Sequence, residues 1–211
     1  MKIGVLQASS VKNLNPLLYS STKAAVEKHG HQVINFGVYS GETQSYTYVE
    51  AALLIGLLLY SGAVDFVVTG GSSGQGMMLA CNSLPGVLCG YLPTPQDAYL
   101  FGRINGDDAA SLPLGLGFGW CGELNLMYTL EKLFDGPLGT GYPAGDAERK
   151  RRDARLLKEL NRAVKPDMVR CLRECPREIR ERPLGRENVW DYIEERAGES
   201  MAKKLKGGCA I

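Results

Sequence analysis

Val67-Val68-Thr69-Gly70-Gly71-Ser72-Ser73-Gly74-Gln75-Gly76-Met77-Met78 is the stretch that decides how this chain folds. The run Asp65-Phe66-Val67-Val68 is apolar and β-branched and reads as a buried strand. It gives way to glycines and serines, then resumes as Met77-Met78-Leu79-Ala80-Cys81, an apolar stretch of helical character. A strand, a Gly/Ser loop and a helix in that order gather backbone N–H groups and a helix N-terminus around one small cavity. That cavity suits a phosphate, a carboxylate or an oxyanion formed in a reaction. Glycines let the backbone approach closely, and serine hydroxyls donate or accept. The same residues also serve a plain tight turn, and the loop alone does not choose between the two readings.

Outward from this loop, strand and helix signals alternate through the first 145 residues. Strands are predicted at Lys2–Leu6, Gln32–Phe36, Asp65–Thr69, Val87–Tyr91 and Ala110–Gly115. Helices are predicted at Asn15–His29, with Asn13 or Asn15 as cap and Gly30 as stop, and at Tyr48–Ser61, Thr94–Gly102 and Gly122–Asp135. Strands separated by single helices imply parallel pairing with right-handed crossovers. The expected fold is therefore α/β, a doubly wound (Rossmann-like) parallel five-stranded sheet with helices on both faces. Ligands of such sheets sit outside the C-terminal strand ends. That rule gathers Gln7–Ser10, Tyr39–Tyr46, Thr69–Gly76, Tyr91–Thr94 and the residues near Asn105 on one expected rim.

Charge divides the chain in two. Residues 1–145 carry 6 Lys/Arg against 10 Asp/Glu (net −4), and residues 146–211 carry 18 against 13 (net +5). The expected organisation is a sparsely charged α/β domain over 1–145 and a charged helical C-terminal extension over 146–211. Its helices are expected at Ala147–Ala163, Asp167–Ile179 and Glu187–Glu195. The basic run Arg149-Lys150-Arg151-Arg152 reads as a solvated helix face, because acidic residues follow within two turns. With an overall net charge of +1, no nucleic-acid or membrane partner is expected.

The most apolar stretch, Ala51 to Tyr60, is too short to span a bilayer and reads as a buried helix. No signal peptide is visible, the six cysteines show no Cys-x-x-Cys spacing, and His29 and His31 flank a turn. Neither a metal site nor a cofactor is expected, and reduced thiols point to the cytoplasm. Cys209-Ala210-Ile211 is one residue short of a prenylation signal, so no lipidation is expected.

Several motifs resemble, in order and with similar spacing, the ribose-5-phosphate isomerase B / galactose-6-phosphate isomerase (RpiB/LacA/LacB) family. They are Asn35-Phe36-Gly37-Val38-Tyr39-Ser40-Gly41-Glu42, Tyr46, Gly74-Gln75-Gly76-Met77 with Asn82, and Pro85-Gly86-Val87. Asn105-Gly106, then Gly117-Phe118-Gly119 leading into Gly122-Glu123-Leu124, complete them. The resemblance covers about the first 150 residues, and the long C-terminal part is similar to an extended subgroup. It implies an aldose–ketose isomerase working through an enediolate, without a metal. It also implies a site between two subunits, hence a homodimer or higher homo-oligomer, with a small sugar, sugar phosphate or sugar acid as ligand.

Residue by residue, the resemblance assigns Ser73 as a relay in place of a loop Thr. It implies ligand contacts at Ser9, Tyr46, Gly71, Ser72, Gly74, Gln75, Gly76, Asn82 and Asn105. The departures are as informative. Gly71 stands where many members carry a catalytic Cys, and Met77 where some relatives carry a Glu. Ala8 and Ser9 occupy the place of an Asp-His pair, and Gly117-Phe118-Gly119 lacks the arginine of a Gly-Ala-Arg turn. Of the arginines that reach a phosphate from the neighbouring subunit, only Arg152, or Arg151 beside it, has a counterpart.

The base is left open. Cys89 is placed near the end of the fourth strand, though a Cys in an apolar strand is usually a small buried hydrophobe, as is Cys81 on the helix after the loop. Asp107 and Asp108 follow Asn105-Gly106, with turn chemistry as their alternative role. Glu123 reads as a first-turn acid at a helix N-terminus. Two classes remain: an isomerase with an atypical base, and a family member that has lost catalysis and binds a sugar as a sensor or partner subunit.

Overall fold

The computed structural model describes residues 1–209, so the Cys209-Ala210-Ile211 terminus read for lipidation reaches outside the described residues. Five strands, β1 (Lys2–Leu6), β2 (Gln32–Gly37), β3 (Phe66–Gly71), β4 (Cys89–Tyr91) and β5 (Ala109–Pro113), form one sheet among the described residues. Their order is β2-β1-β3-β5-β4 and every pairing is parallel. Strand order reverses at β1, so the loops after β1 and β3 flank the crevice where doubly wound sheets bind ligands.

Helices α1 (Asn15–Glu27) and α5 (Gly122–Leu133) cover one face. On the other lie α2 (Tyr48–Tyr60) and α3 (Gln75–Asn82). The apolar stretch read as a buried helix is α2, whose residues from Glu50 to Leu58 are all buried. Its entry is fixed by a reciprocal capping box: the Glu50 N–H donates to Thr47 Oγ1 at 3.3 Å and the Thr47 N–H to Glu50 Oε2 at 2.8 Å. Helix α1 departs from expectation at its start. A 3-10 turn, Ser9–Leu14, precedes it, and neither asparagine caps it. The Asn15 amide instead donates to Gln7 Oε1 and Asn35 Oδ1 at 2.9 and 3.0 Å, joining β1, β2 and α1 in one buried polar network. Helix α4 (Pro95–Leu100) runs into a π turn at Phe101–Asn105.

The C-terminal part supplies α6 (Ala147–Val164), α7 (Met168–Glu174), α8 (Arg177–Leu184), α9 (Glu187–Ala197) and α10 (Glu199–Cys209). The single helix expected over Asp167–Ile179 is two. Pro176 has no N–H to donate and disfavours helical geometry at Cys175, whose ψ is 151°. Helix α10, which begins after Gly198, was not anticipated. Met168, Leu172, Val189, Trp190, Ile193, Ala202 and Leu205 are buried in one cluster with the leucines of α2. At roughly 1.5–3 kcal/mol for each large apolar side chain, this seam outweighs the exposed Arg–Glu and Lys–Glu pairs along these helices, each worth about 1 kcal/mol or less. Packing, rather than surface charge, docks the extension. No helix among the described residues is long and apolar enough to cross a membrane.

Candidate active site

The C-terminal ends of β1, β2 and β3 are stitched together by backbone bonds. The Gln7 N–H donates to the Gly37 carbonyl at 3.1 Å and the Ala8 N–H to the Gly70 carbonyl at 3.2 Å. Ser9 then catches the incoming chain. Its N–H donates to the Tyr46 carbonyl at 3.1 Å, and its Oγ accepts from the Tyr46 N–H at 2.6 Å. Tyr46 is buried above the end of β1, and the Tyr48 ring lies against Gly76 at the far side of the Gly/Ser loop.

The loop itself is clamped to β5. Leu114 and Gly115 N–H groups donate to the carbonyls of Gly71 (2.9 Å) and Ser72 (2.8 Å), and Ser111 Oγ donates to the Gly74 carbonyl at 2.6 Å. This closeness demands glycine. A Cβ at Gly70 would stand 2.6 Å from the Leu112 carbonyl oxygen. One at Gly74, whose φ is +75°, would stand 2.8 Å from the Leu112 backbone. Gly71 differs: a Cβ there would meet Met77 Cγ at 3.5 Å, an ordinary contact, so the position of the family's thiol has room for one. Ser72 and Ser73 are exposed. Beyond Gly74 the first-turn N–H groups of α3 lack intrahelical acceptors, and that of Gln75 donates to Ser73 Oγ at 3.4 Å. The loop supplies donors for an anion or a developing oxyanion. None of its contacts among the described residues is to a carboxylate or an imidazole.

Beside this loop lies a charged cluster that the sequence reading missed, because half of it comes from the extension. Arg186 is buried at the start of α9 and pairs end-on with Glu42. Its Nη2 donates to Glu42 Oε1 at 2.8 Å and to the Phe36 carbonyl at 2.5 Å, and its Nη1 bonds Glu42 Oε2. The guanidinium carbon lies over the Tyr46 ring, 4.9 Å from its centroid, and 5.8 Å from that of Tyr39. Burial alone would raise the Glu42 carboxyl, but the bonds from Arg186 and the Tyr39 N–H outweigh it and hold the group below its ordinary value. Glu42 is thus an ionised structural partner and a poor proton acceptor. A cavity of about 320 Å³ opens between Tyr39, Glu42 and Tyr46 on one side and Arg186 and Asn188 on the other.

The sequence model of the ribose/galactose isomerase family matches residues 17–118. The crystal structure of a 4-deoxy-L-threo-5-hexosulose-uronate ketol-isomerase complexed with a tartrate superposes with a TM-score of 0.91 at 40% identity, covering 99% of both chains. A ribose-5-phosphate isomerase from Vibrio parahaemolyticus does so with a TM-score of 0.91 at 35% identity, again over 99% of both. This chain belongs to the ribose/galactose isomerase family. Like both of these neighbours, it is an isomerase. A ribose 5-phosphate isomerase from Thermotoga maritima, 23% identical, shares the fold with a TM-score of 0.58 over 75% of this chain and 97% of its own. No protein of curated function is significantly similar.

Several residues expected on the rim of this isomerase are placed elsewhere. Asp107 and Asp108 precede β5 rather than follow a strand, so they lie at the opposite end of the strands from the Gly/Ser loop, beside Lys158 of α6 at 3.2 and 3.7 Å. Burial pushes Asp107 up to about 6 and raises Asp108, with Lys158 pulling both down. Asn105 precedes the same strand. Cys89 opens β4 opposite Ala109, the first residue of β5, and is buried. Its bond with Cys81 and its burial push the thiol well above its ordinary value. The Asn82 amide is spent on the N–H and carbonyl of Cys89 and on the Met78 carbonyl. Glu123 accepts from the Gly119 N–H at 2.8 Å at the start of α5, the role read for it. Arg152 stands exposed on α6, which packs against the Phe101–Asn105 turn rather than this chain's loop. Ser9, Tyr46 and Gly71 to Gly76 do come together.

Proposed function

We propose that this isomerase interconverts the aldose and ketose forms of a small keto-sugar acid of the 4-deoxy-hexosulose-uronate class, with the Gly71–Gly76 loop as its oxyanion site. The carrying observation is the likeness over 99% of the chain to a ketol-isomerase of such a uronate, on a rim stripped of its family's phosphate contacts. Ala8 and Ser9 replace the Asp-His pair, and Gly117-Phe118-Gly119 carries no arginine. In the reaction a base takes the proton from the carbon next to the aldehyde, and the electron pair moves onto the aldehyde oxygen to give an enediolate. The proton returns to the former carbonyl carbon while the neighbouring hydroxyl becomes the ketone. Backbone N–H groups of the loop hold the oxyanion. Ser73 relays a proton between the two oxygens, and Ser9, Tyr46, Ser72 and Gln75 contact the sugar. The base reaches the loop from outside its own contacts.

The same reading makes the enzyme at least a homodimer. Leu156, Leu157, Leu160 and Val164 form one exposed apolar face of α6. Arg152 on that helix is directed to a partner's loop. A dimer mass by light scattering supports this, and a monomer at micromolar concentration contradicts it. We place the enzyme in the cytoplasm and expect EDTA to leave turnover unchanged.

A substrate comparison tests the assignment. The kcat/KM for 4-deoxy-L-threo-5-hexosulose-uronate should exceed that for ribose 5-phosphate by at least about a hundredfold, the discrimination a site earns when charged partners are matched or left unpaired. The reverse preference overturns the acid reading. One observation favours a second reading, a sugar-binding relative without catalysis: Gly71 offers no side chain where the family has its thiol. A folded protein that binds tartrate yet turns over neither sugar would establish it.

A further inference from the structure

We propose that Arg186, carried by the C-terminal extension, is a positioning residue of this isomerase: it sets the Tyr46 ring at the rim, so turnover depends on the extension. The inference rests on the isomerase reading above and concerns how the site is held.

Three contacts tie the start of α9 to the end of β2 and to the loop that follows it. The Arg186 fork grips Glu42, the same guanidinium bonds the Phe36 carbonyl at 2.5 Å, and the Asn188 amide donates to that carbonyl at 3.3 Å. Glu42 passes the constraint on by accepting from the Tyr39 N–H at 2.7 Å, and Lys12 Nζ donates to the Glu42 carbonyl at 2.7 Å. The guanidinium carbon lies over the Tyr46 ring, 4.9 Å from its centroid, and the Tyr46 backbone is held by Ser9. Gly37 makes room for the arrangement, since a Cβ there would run into both Arg186 and Glu42.

Docking of the extension does not require this arginine. The apolar seam against α2 holds the helices, and the Trp190 indole N–H bonds the Pro183 carbonyl at 3.0 Å within the extension itself. Buried ion pairs contribute little net stability, because desolvation offsets their attraction. What a planar, bidentate, stacked guanidinium supplies is orientation. Another extension arginine that pairs with a glutamate of the α/β domain is a natural control. Arg182 pairs with Glu50 at 3.3 Å but is exposed and makes no contact with Tyr46.

The test compares Arg186→Lys with Arg182→Met. Arg186→Lys keeps a positive charge opposite Glu42 but loses the fork and the flat face. With saturating 4-deoxy-L-threo-5-hexosulose-uronate, kcat should fall about tenfold or more while KM stays within about threefold, as expected when geometry rather than binding is lost. Backbone hydrogen exchange over residues 39–47 should rise. Arg182→Met should keep kcat within about twofold. If Arg186→Lys does not fold, Arg186→Gln carries the same expectations. Wild-type kcat in the Arg186 variant, or an equal loss in Arg182→Met, overturns the inference. A wild-type protein without turnover overturns the isomerase reading instead, and exchange over 39–47 then decides alone whether Arg186 sets the loop.

Discussion

Ser9 and Tyr46 hold each other by two hydrogen bonds, from the Tyr46 N–H to Ser9 Oγ at 2.6 Å and from the Ser9 N–H to the Tyr46 carbonyl at 3.1 Å. The pair fastens the end of β1 to the residues that lead into α2, at the point where strand order reverses. In Ser9→Ala the N–H of buried Tyr46 loses its acceptor, at a cost of about 1–3 kcal/mol. The melting temperature should drop by roughly 3–10 °C for a chain of this size, and kcat should fall with it. A scanning-calorimetry midpoint equal to wild type would show that the bond does not fasten the rim.

The two loop glycines should respond in opposite ways. Gly71→Cys places its Cβ in ordinary contact with Met77, so its midpoint should stay within about 2 °C of wild type, the range of a tolerated substitution. Gly74→Val must adopt φ near +75° with its Cβ against the Leu112 backbone, and should lose about 3 kcal/mol or more. Urea denaturation measures both, and equal losses would contradict the loop geometry. Ribose 5-phosphate turnover should stay low in Gly71→Cys, because the phosphate contacts are also absent. A large gain would mean that only the thiol was missing.

Asp107 gives a pH dependence of defined sign. Burial raises its folded pKa from 3.8 to about 6, against the pull of Lys158. The folded chain therefore holds a proton that the unfolded chain releases between those values. Stability from this group is fullest below pH 4 and is lost as pH rises to about 6, a change of roughly 3 kcal/mol. Asp107→Asn removes the slope. The unfolding free energy of wild type minus that of the variant should fall by roughly this amount between about pH 4 and pH 7. A difference that is flat or rises over that window would contradict the assignment.

The strands, the Gly/Ser loop and α2 were legible because β-branched runs, glycine punctuation and an apolar block report local structure. The break at Pro176 is legible from proline chemistry as well, although the expected helix Asp167–Ile179 runs through it. Asp107 and Asp108 fall at the other end of the strands from the expected rim for a simple reason. Residues that follow a strand reach the ligand rim, whereas these precede β5. Arg186 had no local signal at all. Its partners Phe36, Glu42 and Tyr46 lie at the other end of the chain, and only the docking of α9 against the sheet brings them together.

The most direct measurement incubates the enzyme with 4-deoxy-L-threo-5-hexosulose-uronate in D₂O and follows the sugar by proton NMR. The expected result is conversion to the ketose with deuterium at the carbon that receives the proton, unchanged by EDTA, because the enediolate exposes that proton to a base in contact with solvent. No conversion by folded protein would contradict an enediolate isomerase built on this loop, whereas conversion with the proton fully retained would mean that a base shielded from solvent shuttles it between the two carbons.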